Sequence, residues 1–165
     1  PIRKLWVDCV ILCHVLGDGL SGNSRINVHG FVKNMIQLAA MNPRAAKAAG
    51  GTRIAALEVI AGIMKEEKLA KQLSNWAFDV VQVCQRALKS SGNGEPTYRI
   101  AGIRAACAAA TASRISFLST RPDNNPLLLK GAIEDKVLLE MVRLLKTASQ
   151  DKYPEIRSGG ADLAA

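Results

Sequence analysis

The sequence predicts an all-α chain built from helix pairs, and three observations carry that reading. A short pattern recurs four times after an arginine, the apolar residues between recurrences fall at helical spacing, and turn chemistry breaks the chain before three of those arginines. No segment shows the clean apolar–polar alternation that a half-buried strand requires.

The recurrence starts at Arg3, Arg53, Arg99 and Arg157, where the chain reads Arg3-Lys-Leu-Trp-Val-Asp8, Arg53-Ile-Ala-Ala-Leu-Glu58, Arg99-Ile-Ala-Gly-Ile-Arg104 and Arg157-Ser-Gly-Gly-Ala-Asp162. Each time the fourth residue after the arginine is apolar and the fifth is charged. In the last three copies the two residues before the apolar one are Ala-Ala, Ala-Gly and Gly-Gly, small enough for another helix to approach closely. The copies start 50, 46 and 58 residues apart, near the ~40–47 of paired-helix repeats. The longest interval holds Ser119-Thr-Arg-Pro122-Asp-Asn-Asn-Pro126, which reads as an insertion between helices.

In chain order, a leading helix is expected over residues 2–16, closed by the glycine-rich run Gly17 to Gly22. Phe31, Met35, Ile36, Leu38 and Ala39 form a stripe on a helix over 28–41, which pairs with one over 52–65 entered through Gly50-Gly51. Leu73, Trp76, Phe78, Val80, Val81, Val83, Cys84 and Leu88 mark a helix over 69–90. Its partner over 97–118 follows the turn Ser90-Ser-Gly-Asn-Gly-Glu-Pro96. Val137, Leu138, Met141, Val142, Leu144 and Leu145 place a helix over 132–148. The last helix, 154–165, is entered through Asp151-Lys-Tyr-Pro154. The prediction is therefore a solenoid of about three helix pairs plus a leading helix.

These entries resemble HEAT repeats, in which the second helix of a pair opens with Asp, then Pro, then an apolar residue and Arg. Asp151, Pro154, Ile156 and Arg157 match that entry in full; Asn93, Pro96, Tyr98 and Arg99 match with Asn in place of Asp. The resemblance implies an armadillo-like α-α superhelix in which such Asp and Arg residues form a polar ladder between repeats. A carboxylate at a helix entry suits this, because it caps orphan N–H groups and also accepts a guanidinium. Arg53 departs from the pattern, with Lys47 where the acid should stand and Gly50-Gly51-Thr52 in place of the proline, so a rung is expected to be missing there. The second helices would line a concave surface that binds another protein or another part of the same chain. Because residues 1–165 start at a second helix and stop after two turns of another, one solenoid segment of a longer repeat protein is expected.

Composition narrows the function classes. Apolar residues make up 48%, but aromatics only 4%, so packing relies on small side chains. The four cysteines form neither a CxxC pair nor a disulfide framework, and no apolar run reaches the ~18 residues of a membrane span. A cytoplasmic protein is expected, with the nucleus as the alternative. The net charge of +8 is uneven: residues 1–122 hold 16 basic and 7 acidic residues, whereas 123–165 hold 6 and 7. Residues 19–57 and 96–122 contain no acid. If Lys47, Arg53, Arg99 and Arg104 line one edge of stacked repeats, they would follow a phosphate backbone, and a basic solenoid binding nucleic acid is the alternative function. Only seven aromatics exist, which argues against a base-stacking platform.

Sites of chemistry find little support. Gly17-Asp-Gly19-Leu-Ser-Gly22 is a literal GxGxxG, but the acid expected ~20 residues later is absent, and Asp18 would face phosphate. Cys9, Cys13 and His14 supply no fourth metal ligand, and adjacency points Cys13 and His14 about 100° apart on a helix. The pairs Glu66-Glu67 and Glu134-Asp135 read as solvated charge at helix ends. Neither cofactor, metal nor catalytic residue is expected, and the chain reads as a non-enzymatic scaffold or adaptor. Its partner-contact residues are drawn from Lys47, Arg53, Glu58, Arg99, Arg104 and Asp162.

Overall fold

The computed structural model describes residues 27–41, 49–89, 96–119 and 135–164, and among these every element is helical. Helix α1 spans Val28–Ala40 and α2 spans Ala49–Lys65. Helix α3, Glu67–Leu73, runs through a 3₁₀ turn at Ser74–Trp76 into α4, Ala77–Lys89. The remaining helices are α5 (Pro96–Ser119), α6 (Asp135–Ser149) and α7 (Pro154–Ala164). The expected leading helix, its Arg3 copy and the GxGxxG run lie outside the described residues, as do Lys47 and Asn93.

Local chemistry sets several boundaries. Asn27 accepts the Gly30 N–H through Oδ1 at 2.9 Å, satisfying one of the orphan donors at the start of α1. Pro96 and Pro154 stand first in α5 and α7, where a missing N–H costs nothing and the fixed φ already suits a helix.

The helix expected over 69–90 is two helices, and packing explains the difference. Helix α3 packs on α2 and α5, whereas α4 packs on α1, α5 and α6. Leu69, Ala70 and Leu73 are buried before the turn, and Ala77, Val80 and Val81 after it. Both helices touch α5, but the other neighbours change from α2 to α1 and α6, and the helix tightens into a 3₁₀ turn at Ser74–Trp76 between them. Ser74 Oγ donates back to the Lys71 carbonyl at 3.1 Å there, a bond that competes with helix continuation.

Six of the described helices form two layers of three, with α3 lying against α2 and α5. Helices α1, α4 and α6 contact in sequence in the first layer, α2, α5 and α7 in the second, and α1–α2, α4–α5 and α6–α7 contact as hairpins. At the centre is α5, which also touches α3 and buries Ala101, Ala105, Ala106, Ala108, Ala109 and Ala112. A helix with four neighbours needs short side chains on most of its circumference. Large apolar residues fill the space around it, among them Leu57, Ile60, Ile63, Met64, Leu73, Leu88, Leu144 and Ile156, each contributing about 1.5–3 kcal/mol by leaving water.

The small residues of the recurring pattern do set the close approaches. A Cβ on Gly102 would meet Ala87 Cβ at 3.2 Å, and one on Gly160 would meet Ala148 Cβ at 3.0 Å, so equivalent positions pack against equivalent positions within the second and third hairpins. Gly159 faces the other way, toward the preceding second-layer helix, where a Cβ would lie 2.6 Å from Ile103 Cγ2.

Matching Ala87 with Ala148 aligns α4 on α6. Val80 and Met141 are then both buried, as are Val83 and Leu144. Ala77 and Val81, however, are fully buried, whereas their equivalents Leu138 and Val142 are 43% and 53% exposed. On α4 this side is followed by another hairpin, whose Glu140 carbonyl accepts from Gln85 Nε2 at 2.9 Å.

Candidate functional site

The first of the second-layer arginines is built into a junction between hairpins. Arg53 is 9% exposed; its Nε donates to the Ala39 carbonyl at 3.4 Å, and its guanidinium carbon lies 3.9 Å above the centre of the Tyr98 ring. Tyr98 Oη donates to the same carbonyl at 3.0 Å. Ala39 lies in the last turn of α1, where carbonyls lack helical partners, so two side chains from two later helices close that end. Burial pushes the Tyr98 phenol above its ordinary range, an effect partly countered by the hydrogen bond and charge of Arg53. Where a carboxylate rung was expected to be missing, an aromatic face receives the guanidinium.

Arg99 does meet a carboxylate. Its Nη1 donates to Asp151 Oδ2 at 2.7 Å, and the two side chains are 15% and 4% exposed. Asp151 Oδ1 accepts the Tyr153 N–H at 3.1 Å, so one carboxylate shapes the entry to α7 and holds the preceding hairpin. Arg157 is exposed and donates from Nη1 to the carbonyls of Asp151 and Lys152, at 2.8 and 3.1 Å.

The charged residues five places after Arg53, Arg99 and Arg157 differ in exposure. Glu58 is half-buried, whereas Arg104 and Asp162 are exposed. Arg104 and Asp162 also line a groove of about 650 Å³ between α5 and α7. Ile100 and Pro154 supply its apolar surface, over the buried Ile103; Lys65 and Glu155 add a charge of each sign. The groove forms where Gly159 lets α7 close on Ile103 without a side chain of its own. Among the residues named from sequence, the structure thus brings Arg104 and Asp162 together, holds Arg53 and Arg99 inside hairpin junctions, and leaves Lys47 outside its description.

Cys107, half-buried, also lines the groove, with Sγ 3.9 Å from the Gly159 carbonyl to which the thiol donates. Burial first, and the neighbouring Asp162 carboxylate second, push its thiol above the ordinary range; Lys65 acts in the opposite direction. Fully buried Cys84 is pushed further up by burial. Both are therefore held as thiols, an unreactive form. Both are free cysteines, and among the described residues no three His, Cys, Asp or Glu side chains are grouped to hold a metal. His29 Nδ1 accepts from Trp76 Nε1 at 3.1 Å. Trp76 and Phe78 are half-buried against the core, Phe78 beneath Lys136 Nζ at 5.4 Å from its ring centre.

Sequence reasoning missed Lys65, Ile100, Ile103, Pro154 and Glu155 as groove residues. The available signal was positional: Ile100 and Ile103 stand one and four residues after Arg99, ahead of the charged Arg104. No helix among the described residues is long and apolar enough to cross a membrane. Comparisons with protein-family models, curated proteins and solved structures find no match to the chain.

Proposed function

We propose that this chain is a HEAT-type repeat segment that works as a non-enzymatic scaffold, binding a protein partner through its second-helix layer in the cytoplasm or nucleus. The observation that carries the reading is the groove between α5 and α7, where apolar Ile100 and Pro154 lie beside exposed Arg104 and Asp162. An apolar surface ringed by charge suits protein recognition: the apolar part supplies affinity and the charges supply orientation and specificity. The two-layer packing and the repeated glycine contacts support the repeat reading, because they place equivalent residues in equivalent environments.

The nucleic-acid reading loses two of its four cations, since Arg53 and Arg99 are committed to hairpin junctions. The two readings separate in affinity capture of the parent polypeptide from native extract, with and without nuclease, using the natural chain and Arg104→Glu. Scaffold function gives stoichiometric proteins that survive nuclease and fall away with Arg104→Glu. Loss of all associated material on nuclease treatment alone would transfer the function to nucleic-acid binding.

A further inference from the structure

The third hairpin repeats positions of the second but leaves them open on its outer side. On α4, Ala77 and Val81 are fully buried, and Gln85 reaches the following hairpin by donating to the Glu140 carbonyl. On α6 the same positions are Leu138, Val142 and Lys146, and all three are exposed. The second layer breaks at the same place. The apolar residue four places after the arginine is fully buried at Leu57 and 2% exposed at Ile103, which lies against Gly159 of the following hairpin, yet Ala161 is exposed. The arginines agree. Arg53 receives Tyr98 and Arg99 receives Asp151, each from the hairpin that follows, whereas Arg157 is exposed and the carbonyls it meets, of Asp151 and Lys152, belong to its own hairpin.

We propose that this face, formed by Leu138, Val142 and Lys146 on α6 and Arg157 and Ala161 on α7, docks a further helix hairpin of the parent polypeptide. Its first helix lays apolar side chains on Leu138 and Val142 and offers a carbonyl to Lys146. Its second helix is entered through a carboxylate that meets Arg157, because Arg157 follows Pro154 by three residues as Arg99 follows Pro96, and Arg99 takes a carboxylate. Ala161 is smaller than Ile103, so the docked helix has room for a side chain where Gly159 has none. Both layers continue an existing junction between hairpins, which argues for an occupant of the same kind. A second copy stacked head to tail fits less well, since residues 19–57, which include the entry to its α2, contain no acid for Arg157. This rests on the repeat reading above and makes Arg157 a junction residue rather than a contact for the bound protein.

The test is hydroxyl-radical footprinting of the parent polypeptide and of the 165-residue chain, each at high and low concentration, with Met41, 41% exposed on α1, as the reference. Oxidation of Leu138 and Val142 is expected to fall severalfold in the parent polypeptide at both concentrations. Cross-links from Lys146 are expected to reach a hairpin outside residues 1–165. Arg157→Glu, which sets a second carboxylate against the docked one, is expected to return part of the oxidation. Equal oxidation in the two proteins leaves the face bare. Protection already present in the 165-residue chain at low concentration assigns the cover to that chain, protection found only at high concentration assigns it to a second copy, and cross-links from Lys146 to a separate protein assign it to a partner. Each of these four results overturns the proposal. The scaffold reading is judged separately, by whether protein capture depends on Arg104.

Discussion

Arg99 on α5 and Asp151 at the entry to α7, 52 residues apart in the chain, meet at 2.7 Å across the junction of the second and third hairpins. The pair is mostly withdrawn from water, so its partners depend on each other. Asp151→Ala leaves the guanidinium without its carboxylate and removes the acceptor for Tyr153 N–H, and is expected to cost about 3 kcal/mol. Urea unfolding of Asp151→Ala and of a double variant, Arg99→Met with Asp151→Leu, checks this. The double variant should recover much of the loss, because the unpaired charge rather than the missing attraction dominates.

Arg53 and Tyr98 share the Ala39 carbonyl, so their variants should act on stability. Tyr98→Phe removes one buried hydrogen bond and should cost about 1 kcal/mol. Arg53→Ala removes the stacked guanidinium as well and should cost more. Thermal unfolding provides the comparison, and a fall in nucleic-acid affinity without a fall in stability would contradict the placement of Arg53.

The glycines differ in what they tolerate. Gly159→Ala places a Cβ against the buried, β-branched Ile103 and is expected to destabilise by about 1–3 kcal/mol. At Gly51 a Cβ meets nothing within 4 Å, and the residue lies in the first turn of α2. Gly51→Ala should therefore stabilise by up to about 1 kcal/mol. Opposite signs in the two unfolding midpoints are the expected result.

Equivalent valines on the first layer should respond unequally. Val81→Asp puts a carboxylate into a fully buried site on α4 and should prevent cooperative folding, whereas Val142→Asp, at a site 53% exposed on α6, should shift the unfolding midpoint little. Circular dichroism melts of both variants decide the matter.

Raised thiol and phenol values imply a base-labile fold. Cys84, Cys107 and Tyr98 hold their protons more tightly in the native state than in the unfolded chain. The native state then binds more protons, and stability falls with rising pH. The contribution is complete below the unfolded thiol range of about 8.5 and declines above it. Urea midpoints measured from pH 7 to 11 should drop above that point, with a shallower drop in Cys84→Ala.

The hairpins were legible because helical spacing and entry chemistry are local. Pro96 and Pro154 mark helix starts directly, and the recurring small residues foretold the close contacts at Gly102 and Gly160. What escaped the sequence depends on contacts between distant segments. The turn at Ser74–Trp76 stands where the neighbours besides α5 change from α2 to α1 and α6, although Leu73, Trp76 and Val80 continue a helical stripe without a break. Arg53 and Arg99 look alike in sequence, yet one stacks on Tyr98 and the other binds Asp151, since each partner comes from the following hairpin. The groove likewise needs α5 and α7 side by side before Ile100 and Arg104 become one surface with Asp162.

Cross-linking of the purified partner complex through lysines, followed by peptide mapping, reports which layer of helices the partner covers. Lys65 lies at the groove on the second-layer side, whereas Lys33, Lys136 and Lys146 are exposed on first-layer helices. Partner cross-links are expected at Lys65 and are expected to disappear in Arg104→Glu. Cross-links confined to Lys33, Lys136 and Lys146, unchanged by Arg104→Glu, would contradict binding through the second layer.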